Sequence, residues 1–297
     1  MLSILIPTYN YNITALVNEV HKQSKTCKIE FEILVFDDAS TNPEIRKTNT
    51  SIDSLENTSY TILESNIGRS AIRNKLAKSA QYNWLMFLDA DVMPTNNHFV
   101  SNYINSLSES ESIIYGGILY QEEIPNKIQL LRWVYGKKRE ALSVKKRKEN
   151  RYLSFLTLNF IIRKNVFETV LFNEDIPNLR NEDTLFSYNL RQEKTTINHI
   201  ENPVYHLGLE SSKIFLSKSK ESLDALNLFL KEKLIDVEYT KILSVKNRLQ
   251  KFKLDILFSL TFPVSKKLFE QNLLSRKPSL FIFDLYRLSY LCYISRK

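Results

Sequence analysis

The residues of this chain best suited to chemistry are acids and polar groups that close apolar runs. "WLMFLDADVMP", residues 84–94, stops at Asp89 and Asp91, with Ala90 between them. "ILVFDDAS" stops at Asp37 and Asp38, and the opening "ILIPTYN" stops at Thr8, Tyr9 and Asn10. Carboxylates gathered in one place raise each other's pKa and cost stability, unless positive charge sits between them. Asp89 and Asp91 offer hard oxygen ligands, which suit Mg2+ or Mn2+ and not a soft metal, and such ions usually bridge to substrate phosphates. Aspartate as a simple turn former after a strand is the plainer alternative.

A second group lies in "SNIGRSAIRN". Gly68 lets the backbone approach a ligand, and Arg69 and Arg73, one helical turn apart, present forks toward phosphate or base. A glycine-started helix with surface arginines would read the same way.

The elements that must position these residues follow from periodicity. Apolar, β-rich runs at residues 2–6, 31–36, 60–63 and 84–88 alternate with helical patterns at 13–23 and 69–80, which predicts βαβ units and a mainly parallel sheet. The runs are apolar throughout, as in strands covered on both faces, so the expectation is an open doubly wound α/β sheet with ligands at the carboxyl ends of its strands. Further on, residues 157–162 read as a strand. It is followed by a helix and by a loop that delivers Glu182 and Asp183 to the start of another helix.

With 297 residues, 43% hydrophobic and 25% charged, the chain can bury a large core as one domain, or one domain plus an appendage. Cys27 and Cys292 stand far apart, which argues against a disulfide scaffold or a zinc site and for a reducing cytoplasm. "MLSILIPTYN" is too short and lacks the basic leader of a signal peptide. The late apolar stretch at 279–295 is interrupted by Asp284 and Arg287 and falls short of the roughly 20 residues a membrane span needs. The net charge of +8 is concentrated: residues 127–151 hold ten Lys or Arg against Glu140 and Glu149. A run of this kind is a solvated helix face, or else a patch for nucleic acid, anionic lipid or a phosphorylated ligand.

"PTYN", "DDAS", "SNIGRSAIRN", "DAD" and "NED", in that order over about residues 1–210, resemble the motifs of family 2 glycosyltransferases of the GT-A fold. The resemblance implies a Rossmann-like, mainly parallel sheet flanked by helices. It implies inverting, hexosyl-type transfer from a nucleotide sugar, usually a UDP-sugar, to a hydroxyl acceptor in glycan, polysaccharide or glycolipid synthesis, with Mn2+ or Mg2+ as cofactor. Under it Tyr9 stacks on uracil, Asp38 accepts the ring N–H, Pro7 shapes the strand exit and Thr8 touches the nucleotide through its backbone. Gly68, Arg69 and Arg73 close over the donor. Asp91 holds the metal, Asp89 binds the metal or the ribose, and His206 in "NPVYHLGLE" is a third ligand. Asp183 is the base that takes the acceptor proton, with Glu182 positioning the acceptor or supporting the base. Packing readings stand beside these: Tyr9 as a cap on the sheet edge, Asp38 as a helix N-cap, Glu182 and Asp183 as acids favoured by a helix N-terminus, and His206 as a structural histidine.

"QLLRW" at 129–133 matches a motif of processive polysaccharide synthases, but it precedes "NED" where it should follow, so it is read as part of the basic helix, with Arg132 and Trp133 near an acceptor or sugar pocket. Residues 1–210 are thus expected to be the catalytic domain and 211–297 a helical C-terminal extension. From Lys251 onward nine Lys or Arg oppose Asp255, Glu270 and Asp284 among many Phe, Leu and Tyr, a pattern of helices on an anionic membrane. Packing on the catalytic domain or formation of a homodimer would use the same face. The expected location is the cytoplasm, at the inner face of the cell membrane, with a glycan or lipid-linked acceptor and no nucleic acid. Two rival readings are a nucleotidyltransferase, which would carry a glycine-rich basic loop near the first strand, and a non-catalytic membrane- or polyanion-binding module.

Overall fold

The computed structural model describes residues 1–176 and 180–296. The chain divides into two compact units. One is formed by Met1–Tyr120, Ala141–Asn178 and Asn189–Gly208, the other by Gln121–Glu140, Leu179–Tyr188 and Leu209–Lys297.

The first unit opens with β1 (Leu2–Thr8), α1 (Thr14–Thr26), β2 (Phe31–Asp37), α2 (Pro43–Thr50), β3 (Thr58–Ile62), α3 (Arg69–Ser79) and β4 (Trp84–Leu88). In β1, Leu2, Ile4, Leu5 and Ile6 are all fully buried, and in β4 Leu85, Met86 and Leu88 are too. Both faces of these strands are covered, which is why their sequences show unbroken apolar runs and no alternation. Helix α1 lacks a side-chain cap and is held by packing, with Leu16, Val17 and Val20 buried on one face. Helix α2 is set locally: Asn42 accepts from the N–H groups of Glu44 and Ile45, and Pro43 occupies the first turn.

The chain continues through β5 (Val92–Pro94), α4 (Phe99–Ser106), β6 (Ile113–Tyr115), β7 (Ile118–Leu119), α5 (Leu130–Tyr135), α6 (Val144–Glu149), β8 (Asn159–Arg163), α7 (Lys164–Val170), α8 (Glu182–Gln192), β9 (Ile197–His199) and β10 (Val204–His206). The main sheet has the order β3-β2-β1-β4-β8-β6-β9. Strand β1 is parallel to β2 and β4, β2 is parallel to β3, and β8 runs antiparallel to β4 and β6. The carboxyl ends of β1, β2 and β4 therefore share one edge. A separate three-stranded sheet, β5-β10-β7, was not expected from sequence. In it β10 lies antiparallel to β5, with His206 opposite Val92.

The basic segment 127–151 is not the single helix expected. It breaks into a 3-10 turn at Lys127–Gln129, α5, a π turn at Gly136–Glu140, and α6, whose N-cap Ser143 accepts from the Lys146 N–H. Nor is all of it solvated. Arg147 is only 2% exposed and donates to the carbonyls of Leu142, Tyr115, Gly116 and Ile200, at 3.1, 3.3, 3.3 and 2.9 Å. Gly117, at φ +99°, makes room for it: a Cβ there would lie 2.9 Å from the guanidinium carbon.

The second unit contains α5, the first turns of α8, and α9 (Ser212–Lys231), α10 (Lys241–Lys251), α11 (Asp255–Leu273) and α12 (Leu280–Ile294). Its core gathers Leu131 of α5, Leu216 of α9, Phe262 and Leu273 of α11, and Phe283 and Tyr286 of α12. Two segments expected within the first domain, 121–140 and 179–188, thus cluster with the C-terminal helices. Among the described residues no helix is long and apolar enough to cross a membrane.

Candidate active site at the carboxyl edge of the sheet

The loops after β1 and β2 are tied together. Asn10, at φ +50°, donates its N–H to the Ser40 hydroxyl at 2.7 Å, and its side-chain oxygen accepts from the N–H groups of Thr41 and Asn42. Asp37 accepts from the Ser40 N–H at 2.6 Å and from the Tyr60 hydroxyl; burial first, and this bond second, push the Tyr60 pKa up. Tyr9, held between these anchors, remains 48% exposed. Its ring is available to stack on a flat ligand.

Asp38 holds the next loop. Its carboxylate accepts from the N–H groups of Ile67 and Gly68 at 2.7 and 3.0 Å, and its backbone carbonyl accepts from Asn66 Nδ2. It does not cap α2, whose N-cap is Asn42. Gly68 sits at φ +86°, a conformation that only glycine adopts readily, and starts α3. The carboxylate that sequence reading assigned to a base N–H thus also fixes the backbone from which Arg69 and Arg73 project.

From α3, the Arg73 guanidinium is buried, lies 5.4 Å from the centre of the Phe172 ring and donates to Asp89 Oδ1 at 2.7 Å. Asn74, next in sequence, locks the segment that carries Phe172: its amide donates to Phe172 O and Glu174 Oε1 and accepts from the Phe172 N–H. Burial pushes the Asp89 pKa up, Arg73 pulls it down and Asp91 adds to the rise. A third of the Asp89 side chain, 33%, stays accessible, so the carboxylate is reachable by a ligand.

Asp91 lies just before β5, and the β5–β10 pairing brings His206 to it. His206 Nε2 is 3.4 Å from Asp91 Oδ2, and the Leu207 N–H donates to the Asp91 carbonyl at 2.8 Å. The His206 ring also lies 5.5 Å from that of Tyr120. Gly208 closes the group: a Cβ on it would stand 2.0 Å from Asp91 Oδ2. His206 is legible in the sequence and Gly208 is not, since its one signal is that it is a glycine two residues further on. Burial, with the Asp91 charge second, raises the pKa of Tyr11 nearby.

The donor set fits a hard divalent cation in part. Among the described residues no three His, Cys, Asp or Glu side chains are grouped to hold an ion by themselves. The expected ligands Asp89, Asp91 and His206 do not form such a trio as they stand, and one oxygen of Asp89 is engaged by Arg73. Asp91 and His206 bring a carboxylate oxygen and an imidazole nitrogen within 3.4 Å of each other, and were they to hold an ion, water or a ligand's phosphates would have to complete the shell.

Glu182 and Asp183 belong to the second unit, where they form the first turn of α8. Asn181, at φ +75°, anchors that turn through its amide to Ser222 O at 2.6 Å, and Asp183 accepts from the Thr184 N–H at 2.7 Å. In the same unit Arg132 is buried, bonded to Glu140 at 3.0 Å and set over the Phe215 ring, while Trp133 Nε1 donates to Gln121 O at 2.8 Å. These contacts give "QLLRW" a structural use.

A mainly parallel α/β sheet that gathers acids, arginines and an exposed aromatic at its carboxyl edge is the frame of an enzyme that binds its ligand at that edge. The sequence pattern of glycosyl transferase family 2 matches residues 3–171, and the chain belongs to that family. An uncharacterized glycosyltransferase of Haemophilus influenzae is 22% identical over 263 residues, covering 85% of this chain and 98% of its own length. Two solved structures are similar in fold. TarS 1–349 of S. aureus, also solved in complex with UDP-GlcNAc, has a TM-score of 0.52 at 19% identity and covers 99% of this chain and 90% of its own. A mannosyltransferase of Pyrobaculum calidifontis, in complex with GDP-Man and Mn2+, has a TM-score of 0.52 at 13% identity, over 75% of this chain and 61% of its own.

Proposed function

We propose that this glycosyltransferase moves a hexosyl group from a UDP-sugar to a hydroxyl of a glycan or lipid-linked acceptor, with inversion, at the cytoplasmic side of a membrane and with Mn2+ or Mg2+. Residues 1–210 are proposed as its catalytic domain. The observation that carries the reading is the group at the carboxyl edge: Asp91 facing His206 at 3.4 Å, beside an Asp89 held by Arg73. Asp89 and Asp91 bring two carboxylates close enough to raise the pKa of Asp89, and carboxylates so gathered favour a cation beside them.

Asp91 and His206 would hold the metal, which when bound supplies positive charge toward the departing diphosphate. Arg73 fixes Asp89, and in this reading the pair meets the ribose or a phosphate. Tyr9 supplies a face for the base, and Asp38, while holding the 66–68 loop, keeps lone pairs to accept the base N–H. Thr8 and Pro7 set the backbone beneath it, and Arg69 joins from the same helix start. Asp183 takes the acceptor proton, with Glu182 beside it; these roles rest on the "NED" resemblance.

The experiment is calorimetry with UDP, with and without Mn2+, alongside a transfer and hydrolysis screen over nucleotide sugars. Metal-dependent UDP binding is expected. Asp183→Asn should keep UDP binding and lose transfer by about 10²–10⁴-fold. Transfer by that variant at the parent rate would remove the base assignment, and binding of polyanions alone, with steep salt dependence, would remove the enzyme reading.

A further inference from the structure

Helix α11 is apolar on two opposite sides. One side is buried against α12, where Phe262 lies among the rings of Tyr286, Tyr290 and Tyr293 at 5.3–5.7 Å. The other carries Leu257, Leu260, Val264 and Leu268, which are 59, 70, 84 and 68% exposed. At 100° per residue these four fall within an arc of about 80°, a continuous stripe along the helix. Phe252 just before α11 and Phe281 at the start of α12 are 76 and 71% exposed. An apolar row of this length facing water needs a partner, since scattered single side chains would not.

The charges around it select the partner. Lys251, Lys253, Lys267, Arg276 and Lys277 are exposed in the same stretch. The two acids of α11 are spent internally: Asp255 is buried against Arg296 at 2.8 Å, and Glu270 accepts from the Tyr286 hydroxyl at 3.0 Å. A leucine stripe edged by cations and lacking free acids complements a layer that is apolar within and negative at its surface. Two copies of the same cationic face would instead repel each other.

We infer that the 257–268 stripe of α11 docks the protein on an anionic lipid bilayer, with Leu257, Leu260, Val264 and Leu268 in the acyl boundary and the surrounding lysines on the headgroups. The inference does not rest on the transfer reaction, because lipid binding is read without any sugar donor. The helix lies in the membrane plane.

The test is sedimentation of the full chain with vesicles of equal parts phosphatidylglycerol and phosphatidylcholine, against vesicles of phosphatidylcholine alone. Binding to the anionic vesicles is expected, several-fold weaker on the neutral ones and weakened by salt. The double variant Leu260→Asp and Val264→Asp should bind about tenfold or more weakly, with its thermal midpoint unchanged because both side chains already face water. Three results would overturn the inference. These are no binding to the anionic vesicles, equal binding by the variant, or, in light scattering without lipid, a wild-type dimer that the variant turns into a monomer, which would make the stripe a contact between copies.

Discussion

Gly208→Ala should damage the site without damaging the fold. The backbone at Gly208 is not among the positive-φ glycines, so alanine is allowed there. Its Cβ, however, would stand 2.0 Å from Asp91 Oδ2 and 2.8 Å from Asp91 Cγ, where ordinary contact begins near 3.4 Å. The Asp91 carboxylate must then retreat by more than about 1 Å, away from its position facing His206. Because the colliding atoms end a partly exposed side chain, the cost to stability should stay within about 1–2 kcal/mol. A displacement of 1 Å at a reacting centre costs roughly 10²-fold in rate. The assay is Mn2+-dependent hydrolysis of the best nucleotide sugar, paired with Mn2+-dependent UDP binding and a urea melt. Parent-level hydrolysis and metal response in a well-folded Gly208→Ala protein would refute the assignment of Asp91 to the metal.

Two further outcomes concern the scaffold. Arg147→Gln removes a buried donor that four carbonyls share, of which those of Tyr115 and Gly116 keep the N–H groups of Ile200 and Asn202, and should cost on the order of 1–3 kcal/mol in urea unfolding; no measurable loss would mean that water replaces the guanidinium. His199 is buried with Nε2 on the Arg151 carbonyl, and burial, helped by Arg147, Arg151 and Lys148, lowers its pKa from 6.5 to about 4. The unfolded chain therefore takes up this proton first as pH falls. The contribution of His199 is complete above pH 6.5 and is lost between 6.5 and about 4, by up to about 2 kcal/mol once solvent screening is discounted. His199→Gln should flatten that part of the stability profile, and an unchanged slope would assign it to other groups.

Much of the first unit was legible because its strands are buried on both faces. Residues 84–88 coincide with β4, and the expectations at 2–6 and 31–36 fall inside β1 and β2. Polar residues that break such runs mark strand ends, which is why Asp38, Asp89 and Asp91 stood out. The small sheet left no comparable trace: β5 and β10 have three residues each and β7 has two, too few for a period to show. Yet that sheet is what brings His206 and Gly208 to Asp91. Arg147 illustrates the other limit. Within a run of lysines nothing separates a surface cation from one that binds the carbonyls of Tyr115 and Ile200, since burial there is decided by chain segments far away in sequence.

The second unit is woven from three separated stretches of chain, with Leu131 of the early stretch inside the same core as Leu216, Phe262 and Phe283. A protein shortened at residue 210 would keep that leucine and Tyr135 while losing the other buried members of the core. Such a deletion leaves an open wound rather than a trimmed tail, and insolubility or inactivity in it would report the bared core, whatever the missing helices do in the cell.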